Sequence, residues 1–301
     1  MRNVDRIAGS GIMACGIFAA CAAVAVGGEF SAPKGESCQW SPPFYAFCVE
    51  VGVPGIKPRS LAEQASLLRE LGFDGGGYSL WFGDEAARNL KILDEAGLEV
   101  YLLHTVINLK DADHPYDPRL PTAIEKLKGR PATVSVLFTG LPAGDPQGME
   151  PAVKILRELG DLAAAVGLRI SIYNHVNNWA ESLPFVLKVV EKADHPRVGA
   201  NFNLCHCLKV DGEKDYRPLL RENCSKIFAV TLCGAQVGSK TWTNGLIQPL
   251  DKGDFDNREL LTVLREAGYQ GPIGLMCYGV PDDTREHLTR SIQIWRSWQP
   301  K

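Results

Sequence analysis

The sequence lacks the features that identify several large classes of protein. Its 32 Lys and Arg residues nearly balance its 35 Asp and Glu residues, so the formal net charge is −3. It has no dense basic patch of the kind that binds nucleic acid or an anionic membrane surface. It has no low-complexity tract, no second domain and, after the first 26 residues, no apolar run long enough to span a membrane. We therefore expect one large globular domain that neither binds nucleic acid nor crosses a membrane in its mature form.

The first 25 residues differ in kind from the rest of the chain. Arg2 and Arg6 precede a run of small and apolar residues at 7–26, and the Ala-Val-Ala at 23–25 offers a small-x-small cleavage site. This pattern is typical of a secretory signal peptide. We therefore expect a signal peptide at 1–25 and an exported protein, either periplasmic or secreted.

Two other interpretations of the N-terminus stay open. One is an uncleaved anchor, although the apolar run is on the short side for it. The other is acylation of Cys21, which would give a lipid-anchored protein, although Phe18, three residues before that cysteine, is unfavourable for such processing. In each case we expect residues 26–43 to form a lead-in to the fold.

From residue 44 to residue 298, apolar segments typical of buried strands alternate with amphipathic segments typical of helices. The segment 60–75, for example, places Ala65 and Leu68 on one helix face and has Gly72 near its end. Eight strands alternating with eight helices over roughly 250 residues indicate an α/β protein with a (β/α)8 TIM barrel, in a single domain at 44–298. A doubly wound open sheet is the alternative, and the absence of Gly-x-Gly-x-x-Gly after the first strand weakens its dinucleotide-binding form. The predicted strands are 44–53, 76–82, 98–109, 132–140, 168–175, 198–206, 226–235 and 272–280.

The end of the sixth predicted strand is the most informative part of the chain. In VGANFNLCHCLK, residues 198–209, an apolar run gives way to Asn203, His206 and Lys209. Ligand-binding groups of a barrel lie at the C-terminal ends of its strands. The other predicted strand ends add groups that suit a sugar, because polar side chains bind hydroxyls and aromatic faces bind the ring. These groups are Glu50, Tyr78, Trp81, His104, Tyr173, Asn174, His175 and Tyr278.

Four short segments carry more specific patterns. They are LGFDG at 71–75 after the first helix, Asn-His at 174–175, NFNLCH at 201–206 and IQPLDKGDFD at 247–256. Together with the order of strands and helices, they resemble the sugar phosphate isomerase/epimerase family, the xylose isomerase-like TIM barrels. The last segment is similar to that family's Pro-x-x-x-Gly-Asp-x-Asp loop. The resemblance covers about residues 44–298 and implies a barrel that acts on sugars.

The resemblance also implies a divalent metal, held by Glu on strand five, Asp on strand six, His on strand seven and Glu on strand eight, which polarises a sugar carbonyl. This chain has Tyr173, Asn203, Thr231 and Met276 at those positions. None is an anionic carboxylate or an imidazole, the groups that such a site needs. We therefore assign no metal ligand and no cofactor, although the family implies a divalent metal.

Four residues are the candidate catalytic groups. His175 and His206 match positions where the family places polar groups that face the substrate, which implies binding or acid–base work near neutral pH. Glu50 is a candidate proton-transfer group and Lys209 a candidate oxyanion stabiliser. Each has a structural alternative: two hydrogen-bonded histidines at the barrel mouth, an ion pair of Glu50 with a loop Arg or Lys, and a solvated Lys209.

The candidate substrate-binding residues come from the same strand ends and from the loop after strand seven. Amides and imidazoles that bind hydroxyls stand there beside aromatic rings. They are His104, Tyr173, Asn174, Asn203, Trp242, Gln248 and Tyr278.

The expected function follows from the fold and these groups. We expect a divergent, exported sugar isomerase/epimerase-like protein that acts on a sugar or polyhydroxy carbonyl compound by proton transfer next to a carbonyl, with elimination from a keto-sugar also open. The alternative is a non-catalytic carbohydrate-binding barrel that has lost the metal site. A metal-dependent nuclease of the same superfamily needs several His and carboxylate ligands and a basic groove, and the sequence shows neither. The partner is therefore a small sugar or sugar derivative, and the sequence leaves the oligomeric state open.

Overall fold

Eight short parallel strands form a closed barrel in chain order. β1 pairs with both β2 and β8, which closes the sheet and leaves no free edge. This computed structural model describes residues 40–212 and 214–299. The expected signal peptide at 1–25, with Cys21, and most of the lead-in at 26–43 lie outside the described residues. The strands are β1 (Phe44–Phe47), β2 (Gly75–Ser79), β3 (Glu99–Asn108), β4 (Thr133–Thr139), β5 (Arg169–Tyr173), β6 (Val198–Asn203), β7 (Ile227–Leu232) and β8 (Ile273–Met276).

Helices connect successive strands and pack their apolar faces on the outside of the barrel. The first helix begins with a capping box of Ser60 and Glu63 and ends at Gly72, which is in the left-handed conformation. In the part of the chain that the structure describes, no helix is long and apolar enough to cross a membrane. The helices are α1 (Leu61–Leu71), α2 (Gly83–Ala96), α3 (Leu120–Glu125), α4 (Met149–Val166), α5 (Leu183–Ala193), α6 (Leu204–Val210), α7 (Arg217–Asn223), α8 (Asn257–Glu266) and α9 (Thr284–Trp298).

The closed barrel confirms the predicted (β/α)8 fold, and the alternative of an open sheet is wrong. Several strands end before their predicted ends, and two of these differences bear on the candidate site. The first strand stops at Phe47, because Cys48 and Glu50 have positive φ angles of 56° and 61° and leave the extended conformation. The sixth strand stops at Asn203, where its pairing with β7 ends. Beyond that point the backbone satisfies its hydrogen bonds by forming α6, which contains His206.

Aromatic rings fill the inside of the barrel, and two glycines make room for them. A Cβ atom on Gly77 of β2 would lie 2.8 Å from Cδ2 of Phe47, and one on Gly274 of β8 would lie 2.5 Å from Cζ of Tyr45. Tyr45 and Phe47 are 0% and 2% exposed. The packed interior leaves no room for a ligand between these rings, so a barrel ligand would bind at the strand ends.

Candidate functional site

A cavity of about 600 Å³ opens at the C-terminal ends of the strands. Its lining comes from six of the strands and from the segments that follow the strands, as a barrel site requires. Among the described residues that line it there is no Asp, Glu, Lys or Arg. The cavity is therefore an uncharged pocket whose polar groups are histidines, hydroxyls and amides.

Two histidines stand side by side in this cavity. The ring centroids of His175 and His206 are 4.1 Å apart, with 40° between the ring planes. Val176, in the loop between β5 and α5, contacts both rings through its backbone. Nδ1 of His175 lies 2.8 Å from the Val176 carbonyl oxygen. The Val176 backbone N–H donates to Nδ1 of His206 at 3.4 Å. One peptide residue therefore orients both imidazoles.

These contacts assign a different tautomer to each ring. A carbonyl oxygen only accepts, so Nδ1 of His175 carries the proton and its Nε2 has a free lone pair. A backbone N–H only donates, so Nδ1 of His206 is the acceptor and its Nε2 carries the proton in the neutral ring. Among the described residues neither Nε2 has a hydrogen-bond partner. The pair thus presents one free acceptor and one free donor.

Burial keeps both rings neutral near physiological pH. It lowers the pKa of His206 well below its ordinary value of 6.5, and the neighbouring His175 lowers that pKa further. Burial also lowers the pKa of His175, against a smaller opposing effect of the Val176 carbonyl. A third lining histidine, His104, has its pKa lowered to about 4, mainly by burial. Its Nε2 lies 3.1 Å from the hydroxyl of Ser79.

Aromatic side chains line the floor and the rim of the cavity around the histidines. Tyr173 packs against both rings of the pair, and burial raises its pKa well above 10.0. Trp242 meets the His206 ring edge-on, with 5.3 Å between the centroids. Tyr278 lines the cavity and is 47% exposed at its mouth. Of the sequence-predicted binding residues, these three and His104 lie in the cavity lining.

Glu50 and Lys209 lie outside the cavity lining. Glu50 is buried in an ion pair with Arg59, whose backbone N–H also donates to it at 2.6 Å, and accepts from the hydroxyl of Thr284 at 2.9 Å. Its carboxylate therefore connects the loop after β1 to the start of α9. This is the ion pair with a loop arginine that we gave as the alternative to a proton-transfer role for Glu50. The Lys209 ammonium donates to the Lys240 carbonyl at 2.6 Å and lies 5.4 Å from the ring centre of Trp242.

Three predicted binding residues also point elsewhere. Asn174 ties β5 to β6, because its Oδ1 accepts from the backbone N–H of Asn203 at 2.9 Å and its Nδ2 donates to Sγ of Cys207 at 3.2 Å. Gln248 donates to the Gly245 carbonyl at 2.9 Å within its own loop. The side chain of Asn203 contacts Tyr173 and Cys205 beneath the cavity.

The sequence analysis missed several lining residues. Ser79 follows directly after Tyr78 at a predicted strand end, so its position was a usable signal. Val176 contacts the histidines through its backbone atoms, and the identity of a residue does not indicate such a role. The apolar lining residues Phe47, Leu137 and Ile247 read as ordinary core.

Comparison with known protein families assigns this barrel to one of them. The family model described as xylose isomerase-like TIM barrel matches residues 65–297. The chain belongs to this family. No curated protein matches the sequence.

Solved structures of this xylose isomerase-like fold match at low sequence identity, which shows the fold alone. An AP endonuclease of family 2 from Brucella melitensis is 16% identical, with a TM-score of 0.65 over 86% of this chain and 100% of that one. A 3-keto-D-glucoside 4-epimerase from E. coli is 15% identical, with a TM-score of 0.66 over 85% and 100%. A D-allulose 3-epimerase from Methylomonas sp., in complex with D-allulose, is 13% identical, with a TM-score of 0.64 over 86% and 99%.

The strand ends of this xylose isomerase-like barrel do not fit the divalent metal that the family resemblance implies. Asn203 has one side-chain oxygen, and it already accepts from Sγ of Cys205 at 3.0 Å, while its Nδ2 donates to the hydroxyl of Tyr173. The described residues contain no group of three or more His, Cys, Asp or Glu that could hold a metal.

Two neutral oxygens, Oδ1 of Asn201 and Oγ1 of Thr231, are buried without a hydrogen-bond partner among the described residues. A divalent cation held by neutral oxygens alone would keep its charge in a buried interior, which is unfavourable. The donor set therefore argues against metal chemistry at these positions.

Proposed function

We propose that the cavity binds a sugar or related polyhydroxy carbonyl compound and transfers a proton at the carbon next to its carbonyl. The observation that carries the proposal is the pair of opposite tautomers, His175 and His206, on rings 4.1 Å apart in an uncharged cavity. A free imidazole lone pair beside a free imidazole N–H supplies both a base and a hydrogen-bond donor.

The chemistry needs no group outside the chain. Nε2 of His175 takes the proton from the carbon, and the electron pair of that C–H bond moves toward the carbonyl, whose oxygen becomes an enolate. The Nε2–H of His206 hydrogen-bonds that oxygen, as a neutral imidazole does when its pKa is lowered. Return of the proton by His175 to the same carbon exchanges its hydrogen. Delivery of that proton to the former carbonyl carbon, while the proton of the neighbouring hydroxyl passes to the enolate oxygen, gives an isomer. His104 and Ser79 are placed to bind sugar hydroxyls.

Deuterium uptake tests the proposal directly. The purified chain is incubated in D2O with D-allulose or a methyl 3-keto-glucoside, and NMR follows deuterium at the carbon next to the carbonyl. We expect uptake by the unmodified protein and a loss of about 100-fold for His175→Gln, since general-base catalysis typically contributes 10² or more. His206→Ala should lose rate because its oxyanion donor is gone.

The matched control is His114→Gln. His114 is exposed on the loop after β3 and lies outside the cavity lining, so this variant should retain full uptake. Absence of uptake with both sugars would overturn the proton-transfer proposal.

The second candidate function is sugar binding without catalysis. Tyr, Asn, Thr and Met at the four strand positions favour it, because a barrel that retains binding alone has no need of a metal set. Calorimetric binding of D-allulose without deuterium uptake, in a protein with native unfolding behaviour, would establish this function instead.

We also propose that the protein is exported after removal of residues 1–25, on the basis of Arg2, Arg6 and the following apolar run. Expression of the full chain in a Gram-negative bacterium should yield a periplasmic or secreted product whose intact mass lacks those residues. Ala25→Tyr should block cleavage, because that site needs a small residue. Recovery of the full-length chain from the cytosol would contradict the proposal.

A further inference from the structure

We propose that the outer part of the cavity is a subsite for an apolar or aromatic substituent, so that the natural ligand is an uncharged glycoside rather than a free sugar or a sugar phosphate. This inference rests on the assignment of the cavity to a sugar under the proposed function. It goes beyond that assignment by naming the ligand class.

The absence of charge in the lining excludes anionic ligands. A phosphate or carboxylate inside this cavity would lose water without gaining a counter-charge, because none of the described lining residues is Lys or Arg. Lys209 lies beside Trp242 but outside the cavity lining, and its ammonium donates to the Lys240 carbonyl rather than into the cavity. An uncharged ligand meets no such penalty.

The rim supplies apolar surface that a sugar ring alone leaves uncovered. Val51 and Tyr278 are 44% and 47% exposed, and both line the cavity. A backbone hydrogen bond joins the two loops, because the N–H of Gly279 donates to the Val51 carbonyl at 2.8 Å. The Tyr278 ring also packs closely on Gly52: a Cβ atom added to Gly52 would lie 2.4 Å from Cζ of Tyr278. These two side chains therefore form a fixed apolar wall rather than two isolated exposed residues.

Trp242 and Trp81 extend this surface. Trp242 contacts the His206 ring, so it spans from the reactive pair to the rim, and Trp81 packs on Tyr78 with 5.0 Å between the ring centroids. The cavity volume of about 600 Å³ lies mid-way in the range of pockets for drug-sized ligands. A single hexose is smaller than such a ligand, so a hexose seated at the histidine pair leaves the aromatic rim free for its substituent.

Isothermal titration calorimetry on the whole protein tests this with three unreactive probes: methyl β-D-glucopyranoside, phenyl β-D-glucopyranoside and the 6-phosphate of the phenyl glucoside. We expect the phenyl glucoside to bind about tenfold more tightly than the methyl glucoside, as aromatic contacts of this kind provide. The 6-phosphate should bind about tenfold more weakly than its neutral parent.

Substitutions locate the subsite. Trp242→Ala should remove most of the preference for phenyl over methyl, and Trp242→Phe should restore it, since a smaller ring still provides an aromatic face. Trp298→Ala, on α9 and outside the cavity lining, should leave the preference unchanged.

Each outcome separates this inference from the proposed function. Equal binding of the phenyl and methyl glucosides, or tighter binding of the 6-phosphate, would overturn the subsite while leaving deuterium uptake from D-allulose as evidence for proton transfer. A phenyl preference without any uptake would support the subsite and overturn catalysis. Failure of all three glucosides to bind would overturn the inference.

Discussion

At the scale of single residues, the chemistry of the site depends on a backbone group. The peptide atoms of Val176 accept from one histidine and donate to the other, and this difference separates the roles of two identical side chains. The pattern of residue types predicted that His175 and His206 would be important, but it offered no way to tell base from donor. That distinction needs the position of a carbonyl oxygen and an N–H, which only the folded backbone fixes.

The pH dependence of deuterium uptake follows from the lowered pKa of His175. Only the neutral ring accepts a proton, and burial shifts its protonation to below pH 6.5. We expect a rate that is constant above that pH and falls by about tenfold per unit once the pH drops below the pKa of the ring. A pH–rate profile of kcat/KM measures this, and a rate that rises on acidification would contradict His175 as the base.

At the scale of secondary structure, the sequence predicted the eight strands in the right order but missed the short helix α6, and its other errors lie at the ends of elements. Apolar residues continue past β6 into α6, so hydrophobicity alone extended the strand to His206. The strand ends where β7 ceases to pair with it, at Asn203 opposite Thr231. The end of a strand is therefore set by its neighbour, which lies some thirty residues away in the chain.

The dependence of strand ends on neighbouring strands also explains why only some of the predicted site residues line the cavity. Residues at strand ends that point into the barrel mouth, such as His104 and Tyr173, line the cavity as expected. Asn174 lies next to Tyr173 in the sequence but faces β6, and Glu50 turns away because the chain leaves the strand three residues earlier. Side-chain direction depends on register and local backbone angles, and the sequence pattern fixes neither closely enough.

The glycine of β2 offers a test of how this element shapes the site. Gly77→Ala would place a methyl group 2.8 Å from Phe47, whose ring lines the cavity floor, and the ring cannot retreat into a packed barrel. We expect a loss of about 1–3 kcal/mol in the free energy of unfolding, measured by urea denaturation.

Phe47→Leu in the same molecule should recover part of that loss, because the smaller side chain removes the close contact. Strictly additive effects of the two substitutions would show that Gly77 is required for another reason.

At the scale of the whole molecule, the barrel has the architecture of its family, and its strand ends carry groups other than the metal ligands that the family resemblance implies. The barrel fold allows this, since it supports many chemistries through changes at its strand ends and loops. In this chain the groups at the four strand ends that would hold a metal are Tyr173, Asn203, Thr231 and Met276, all neutral near pH 7. The free lone pair and the free N–H lie in the loop after β5 and in the first turn of α6.

Chelation therefore separates this protein from a metal-dependent barrel. Protein purified without a metal-affinity tag should contain no stoichiometric Mn, Zn, Fe or Co by elemental mass spectrometry, and dialysis against EDTA should leave both sugar binding and deuterium uptake unchanged. The reason is that none of the four residues at the implied ligand positions is anionic, so nothing there offsets the cost of burying a divalent cation. About one tightly held metal per chain, lost with activity on dialysis, would contradict the assignment and show that imidazole or thiol groups have replaced the carboxylates. In that event the tautomers of His175 and His206 would also need reassignment, because a metal-bound nitrogen has no lone pair left to accept a proton.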